Sequence, residues 1–315
     1  VSFFVLVTPA STPPTPTVPR DLTLALESWD GSRSLSLSDG PVRWKAGATG
    51  LEVAPSDILG SATPGVAGMS MSGVSYPARP VLLPLTIAGS GWPGLHEALE
   101  SLRDITDPAR GLTPDGSFRL VATTPAGTRR LGLVYRSGLE GLGVASHVRQ
   151  NVVLDLLAPQ PFAEDRDTQS RPFQLAAPDR PFLTTPGAPN VWGSLSLVSS
   201  RIAGPDTPVV MASTVPVFPT FTITGPADSV LITGTNGLRL DVPAGLEAGQ
   251  VLEVVSSSRG KSVRLDGELA ASALARGSRL APFGLGTTVL SVSAPGATGD
   301  TRLVVSWRGL HRSLL

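Results

Sequence analysis

Residues 79–88 read Arg-Pro-Val-Leu-Leu-Pro-Leu-Thr-Ile-Ala, and residues 93–108 read Pro-Gly-Leu-His-Glu-Ala-Leu-Glu-Ser-Leu-Arg-Asp-Ile-Thr-Asp-Pro. In the first stretch Val81, Leu83, Leu85 and Ile87 alternate with other residues, the period of a strand with one buried face. In the second, Leu95, Ala98, Leu99, Leu102 and Ile105 recur at three- and four-residue spacing, the stripe of an amphipathic helix. Pro93 suits a first helical turn. Glu97 and Glu100 come early and Arg103 late, as the helix dipole favours, and Asp107-Pro108 stops the helix. The pattern predicts a strand over 79–88 and a helix over about 93–106, the one convincing helix in the chain.

Outward from this pair, the chain reads as short strands and turns. Leu22, Leu24 and Leu26 alternate, Trp29-Asp30-Gly31-Ser32 forms a turn, and Leu35 and Leu37 alternate again. Residues 60–75 are small, Gly-rich and uncharged, and read as a long loop or an irregular hairpin. Beyond the helix, strands are expected around Phe118 to Ala122, Leu131 to Tyr135 and Val152 to Leu156. Residues 161–190 are Pro-rich and charged with little periodicity, the composition of a connector. Further strands are expected near 191–198, 217–224, 229–233, 237–242, 250–256, 261–265, 287–293 and 301–307, with tight turns at Asn236-Gly237 and Asp266-Gly267. The organisation is an extended arm at 1–19, a β domain at 20–160 with its flanking helix, a connector at 161–190 and a second β-sandwich at 191–315. The fold class is all-β with one helix.

Composition agrees. Glycine (34) and proline (30) make up about a fifth of the 315 residues, against roughly 12% in average proteins. That abundance does not suit a helical bundle. A hydrophobic share of 41% is too high for a disordered chain. The 25 basic and 25 acidic residues balance, so the chain as a whole has no electrostatic footprint for nucleic acid. The absence of cysteine excludes disulfides, thiolate metal sites and cysteine nucleophiles. The apolar run Phe3 to Val7 is far too short to span a bilayer, so no membrane span is expected.

The search for chemistry is negative. His96, His147 and His311 have no second histidine or carboxylate at ligand spacing. Gly260-Lys261-Ser262 resembles the end of a phosphate loop, but Val255 stands where the loop needs its first glycine, and the setting is a hairpin. Gly141 and Gly143 partly mimic a dinucleotide fingerprint with no helix pattern after them. Glu164, Asp165 and Asp167 read as a solvated charge run rather than a glycosidase pair. Trp192 and Trp307 could form a sugar platform, although aromatics in sandwich strands are more often buried. No catalytic residue, cofactor or metal is expected, and the chain is not read as an enzyme.

The order of features resembles a known family. Trp29-Asp30-Gly31 leads to Leu37-Ser38-Asp39-Gly40, a Gly-rich loop, and Arg79-Pro80-Val81-Leu82-Leu83-Pro84-Leu85. The helix and Asp107-Pro108-Ala109-Arg110-Gly111 follow, then Phe118-Arg119-Leu120, Tyr135-Arg136-Ser137-Gly138 and Leu157-Ala158-Pro159-Gln160-Pro161-Phe162. This series resembles the N-terminal domain of siphophage distal tail proteins. Val217-Phe218-Pro219-Thr220-Phe221, Leu246 to Leu252, Val263 to Gly267 and Val304 to Arg308 continue the resemblance into that family's second domain. The arm at 1–19 is not a usual part of the pattern.

The resemblance implies a tail-tube-like first domain and a galectin-like second domain. Six copies would form a ring that joins the tail tube to the tail-tip proteins of a virion and leaves a channel for DNA in transit. Its partners would be other copies of itself, the tail tube protein, the tail-tip hub protein and side fibres. The particle would be assembled in the host cytoplasm. Gly65, Val66, Gly68, Met69 and Met71 in the loop, and Phe3, Phe4 and Leu6 in the arm, are the candidate inter-subunit contacts. The alternative is a galectin-like carbohydrate-binding module that contributes to host-surface recognition.

Overall fold

A computed structural model describes residues 22–62, 64, 67–140, 148–174, 207–257 and 260–315. The chain divides into two units, one ending at Pro161 and taking in Ser313–Leu315, the other running from Phe162 to Arg312.

The first unit contains β1 (Thr23–Ser28), β2 (Ser34–Ser36), β3 (Val42–Trp44), β4 (Asp57–Ser61), β5 (Ser70–Ser75), β6 (Arg79–Ala88), α1 (Trp92–Thr106), β7 (Phe118–Thr124), β8 (Gly127–Ser137) and β9 (Arg149–Ala158). The main strands lie in the order β2-β1-β7-β8-β9-β6-β3, with neighbours antiparallel. β8 joins the two halves of this sheet. Its first part pairs with β7 from Thr124↔Gly127 to Phe118↔Leu133, and its end pairs with β9 at Val134↔Leu157 and Tyr135↔Leu156. The register shifts between Tyr135 and Ser137, and a bulge there bends the strand. Gly138 follows with φ 120. A side chain at Gly138 would run into the Val153 carbonyl, so this corner requires glycine.

The alternation at 79–88 is realised in full: Val81, Leu83, Leu85 and Ile87 are buried. Leu24, Leu26, Phe118, Leu120, Leu131, Leu133, Val152, Leu154 and Leu156 are buried as well, the inward faces of β1, β7, β8 and β9. α1 lays Leu95, Ala98, Leu99, Leu102 and Ile105 against this core. Each fully buried leucine contributes about 1.5–3 kcal/mol relative to exposure. The expected start and stop of the helix hold, with Pro93 in its first turn and Asp107 as its C-cap. The expected acidic start does not: Glu97 and Glu100 lie beyond the first turn, so only Arg103 complements the dipole.

The second unit contains β10 (Ala163–Asp165), β11 (Gln169–Gln174), β12 (Thr207–Met211), β13 (Thr220–Thr224), β14 (Val230–Gly234), β15 (Arg239–Val242), β16 (Val251–Ser256), β17 (Lys261–Leu265), β18 (Glu268–Leu269), β19 (Gly286–Ser293), β20 (Arg302–Trp307) and β21 (Leu310–His311). One sheet runs β11-β20-β13-β16-β17-β18 and another β12-β19-β14-β15. Their inner residues form one core: Phe221, Ile223, Leu252, Val254, Leu303 and Val305 from the first, Val230, Ile232, Leu240 and Leu290 from the second. This is a sandwich. Asp266 (φ 50) and Gly267 (φ 88) form the tight turn between β17 and β18, a conformation that asparagine, aspartate and glycine tolerate best.

Residues 161–190, expected as a connector, begin with two strands. β11 pairs along its whole length with β20, from Gln169↔Trp307 to Gln174↔Arg302, and buries Phe173 in the core. β10 pairs with β21. The sequence hides β11 because an edge strand tolerates Pro172 and polar residues dominate it. The strand expected near 191–198, including Trp192, lies outside the described residues.

Candidate assembly surface

Residues 46–78, between β3 and β6, contain Glu52 and Asp57 and no basic residue. Within them β4 and β5 form a separate two-stranded sheet. Ile58 faces Val74 and Gly60 faces Met71 across the ribbon, with a register shift between Leu59 and Gly60. Side chains alternate along a strand, so Ile58, Val74 and Met71 share a face. Met69 lies over Gly60, in the space a side chain there would fill. These apolar side chains are open to solvent: Ile58 is 57% exposed, Val74 55%, Met69 49% and Met71 70%. A lone two-stranded ribbon is marginally stable in water, and a contiguous exposed apolar patch marks an interaction site.

Of the residues expected at subunit contacts, Gly68, Met69 and Met71 fall in this hairpin, Gly68 with φ 98 at the turn leading into β5. Gly65, Val66, Phe3, Phe4 and Leu6 lie outside the described residues. Sequence reasoning missed Ile58, Leu59 and Val74. The adjacent pair Ile58-Leu59 was the available signal, but glycine and serine around it mask any period.

A second exposed surface is the outer face of β6 and β9. Pro84 pairs with Val153, and Leu82 with Asp155, and Leu82 and Val153 are large exposed apolar side chains. Toward the Ala88 end this face opens into a concavity of about 520 Å³ lined by Arg43, Lys45 and Arg149, with Gly40, Pro41, Thr86 and Ala88 and no carboxylate. Lys45 Nζ and Thr86 Oγ1 both donate to Asn151 Oδ1, at 3.1 and 2.8 Å. Arg43 Nε donates to the Gly40 carbonyl at 3.0 Å. The Arg43 and Lys45 side chains are therefore positioned by the edge of the sheet.

Groups with chemical potential elsewhere are structural. His311 is buried, and its Nε2 lies 2.8 Å from Asp165 Oδ1 while Nδ1 is buried with no hydrogen-bond partner. Asp165 is thus no solvated charge; it anchors the β10–β21 pair. The 146-residue separation of the two explains why spacing rules did not reveal them. Tyr135 donates to Glu140 Oε1 at 2.6 Å and accepts from the Leu139 N–H at 2.7 Å. Burial and then the Glu140 bond push the Tyr135 hydroxyl up in pKa, and the same bond holds Glu140 down. Among the described residues no three His, Asp or Glu side chains gather as metal ligands. His96 is exposed and stacks on Trp92 at 6.3 Å. Trp307 is buried edge-to-face against Phe283, so it offers no platform to a sugar. Gly260 and Lys261 sit at the β16–β17 hairpin, with the Ser257 N–H donating to the Gly260 carbonyl at 2.9 Å.

No family model and no curated protein matches the chain. Solved structures do. The Dit protein of phage SPP1, described as a paradigm of the hub adsorption apparatus in phages infecting Gram-positive bacteria, superimposes with a TM-score of 0.59 at 17% identity, over 90% of this chain and 98% of that one. A chain of the phage p2 baseplate, in its activated conformation with strontium, superimposes with a TM-score of 0.53 at 10% identity, over 90% of this chain and 97% of its own. The same baseplate activated with calcium gives 0.51 at 9% identity. The chain therefore shares the fold of these structures over 90% of its length.

Proposed function

We propose that this chain is a distal tail hub of a long-tailed phage or related particle, a structural ring component that joins the tail tube to the tail tip. The observation that carries this reading is the likeness in fold to SPP1 Dit, which covers 90% of this chain and 98% of that protein. An exposed apolar hairpin supports it, because a protein that works by assembly must present surface its own fold does not cover. In this reading six copies close into a ring through head-to-tail contacts. The ring surrounds a channel for DNA, and the second unit is a galectin-like sandwich. The partners are the tube above and the tip proteins below, and the chain resides in the virion tail.

Electron microscopy of the purified chain, and of particles stained with an antibody to it, tests the proposal. Closed rings with a central opening, and label at the tail tip, are expected. A chain that stays monomeric at every soluble concentration and is absent from particles overturns it.

A further inference from the structure

The first unit carries two exposed apolar surfaces, and they differ in shape and charge. One is the ribbon face of Ile58, Val74 and Met71. The other is formed by exposed Leu82 and Val153 on β6 and β9, with half-buried Pro84 opposite Val153 and with Asp155, 3.8 Å from Arg136, opposite Leu82, and it ends at the basic concavity. The segment that bears the ribbon has only acidic charge, from Glu52 and Asp57, and the concavity has only basic charge. We propose that the β4–β5 hairpin of one copy lies across the outer β6–β9 face of a second copy of this chain, with its acidic base toward Lys45 and Arg149. This deepens the ring reading above by naming the two halves of the contact, and it rests on that reading.

The physical case has three parts. A narrow ribbon with apolar side chains gains stability only when a platform covers them. β6 and β9 pair over ten consecutive positions, from Arg79↔Ala158 to Ala88↔Arg149, and so provide a rigid platform. Complementary charge at one end sets the orientation of the ribbon on the face. Because the two patches are different parts of the molecule, the contact is heterologous. It repeats from copy to copy and either closes into a ring or runs on as a filament.

Heterologous contacts allow a decisive mixing experiment. Met71→Asp with Val74→Asp disables the ribbon and leaves the face intact. Leu82→Asp with Val153→Asp disables the face and leaves the ribbon intact. All four side chains are exposed, so both variants are expected to keep the wild-type melting temperature. If a variant melts early, Ile58→Asp replaces the first pair and Val153→Asp alone the second. Light scattering after size exclusion reads the outcome. Wild type is expected as a ring, each variant alone as a single chain, and the equimolar mixture as a pair, one intact ribbon on one intact face with both outer ends blocked. If either variant alone assembles like wild type, or the mixture stays monomeric, the docking is wrong while the ring reading stands. If wild type itself never assembles, both fall.

Discussion

Arg79 opens β6 with its side chain fully buried. Its guanidinium donates to the carbonyls of Gly50 and Glu52 and, at 3.2 Å, of Pro161. One residue thus ties the loop that follows β3 and the end of the first unit to the start of β6. The sequence places Arg79 on the inward side of a strand, an odd place for a charge. It says nothing of the acceptors, because they come from residues 29, 27 and 82 positions away. Leaving a buried polar group unpaired costs roughly 1–3 kcal/mol. Arg79→Met, which keeps the apolar stem and removes the donors, is therefore expected to cost the first unit about 3 kcal/mol or more. Urea unfolding followed by tryptophan fluorescence measures this. A loss below about 1 kcal/mol would mean that water can stand in for the guanidinium.

At the scale of elements, the turn between β1 and β2 depends on Asp30. Its Oδ1 accepts from Ser28 Oγ at 2.6 Å, Ser32 Oγ at 2.8 Å and the Ser32 N–H at 3.1 Å. The Ser28 bond, then those from Ser32, hold the carboxyl down from 3.8 to about 2. A carboxylate with a lowered folded pKa stabilises its turn fully above its ordinary value, and the contribution fades as pH falls through the folded one. Acid should therefore leave this turn intact at pH 3 and loosen it near pH 2. A carbon-detected NMR titration of the Asp30 carboxyl should show its midpoint near 2, and a midpoint at 3.8 or above would contradict the arrangement. Such turns were legible, as were α1 and strands such as β6, β13 and β16, since period alone encodes them; β12 was not among the strands expected. β11 was not legible, and the β4–β5 ribbon was legible only as a loop or an irregular hairpin over residues 60–75, the second of which it is: an edge strand with one buried residue and a ribbon with none have no alternation to read. The candidate surface was half legible for the same reason. Met69 and Met71 stand out in a run of glycine and serine, whereas Ile58 and Val74 become its neighbours only through pairing.

At the scale of the whole molecule, the chain leaves the first unit at Pro161 and rejoins it at Ser313. The sequence assigns everything after residue 190 to the second domain, because three terminal residues of ordinary character carry no periodic signal. The structure gives those residues a place in the first unit. Leu314 is buried, and its N–H donates to the Leu51 carbonyl at 3.0 Å. Ser313 bridges to Val53, and Arg129 Nη1 donates to the carbonyls of Ser313 and Leu315 at 3.3 and 3.2 Å. The pieces of this contact, residues 51–53, 129 and 313–315, are far apart in sequence, and only the closed topology brings them together. Burial of one leucine is worth about 1.5–3 kcal/mol, so deleting residues 313–315 should weaken the first unit by about that amount. The second unit, whose core is complete without those residues, should keep its stability. Hydrogen exchange separates the two cases. Amides of β6 and β9 are expected to lose protection in the truncated chain while those of β13 and β16 do not, and equal losses in both units would mean that they unfold as one.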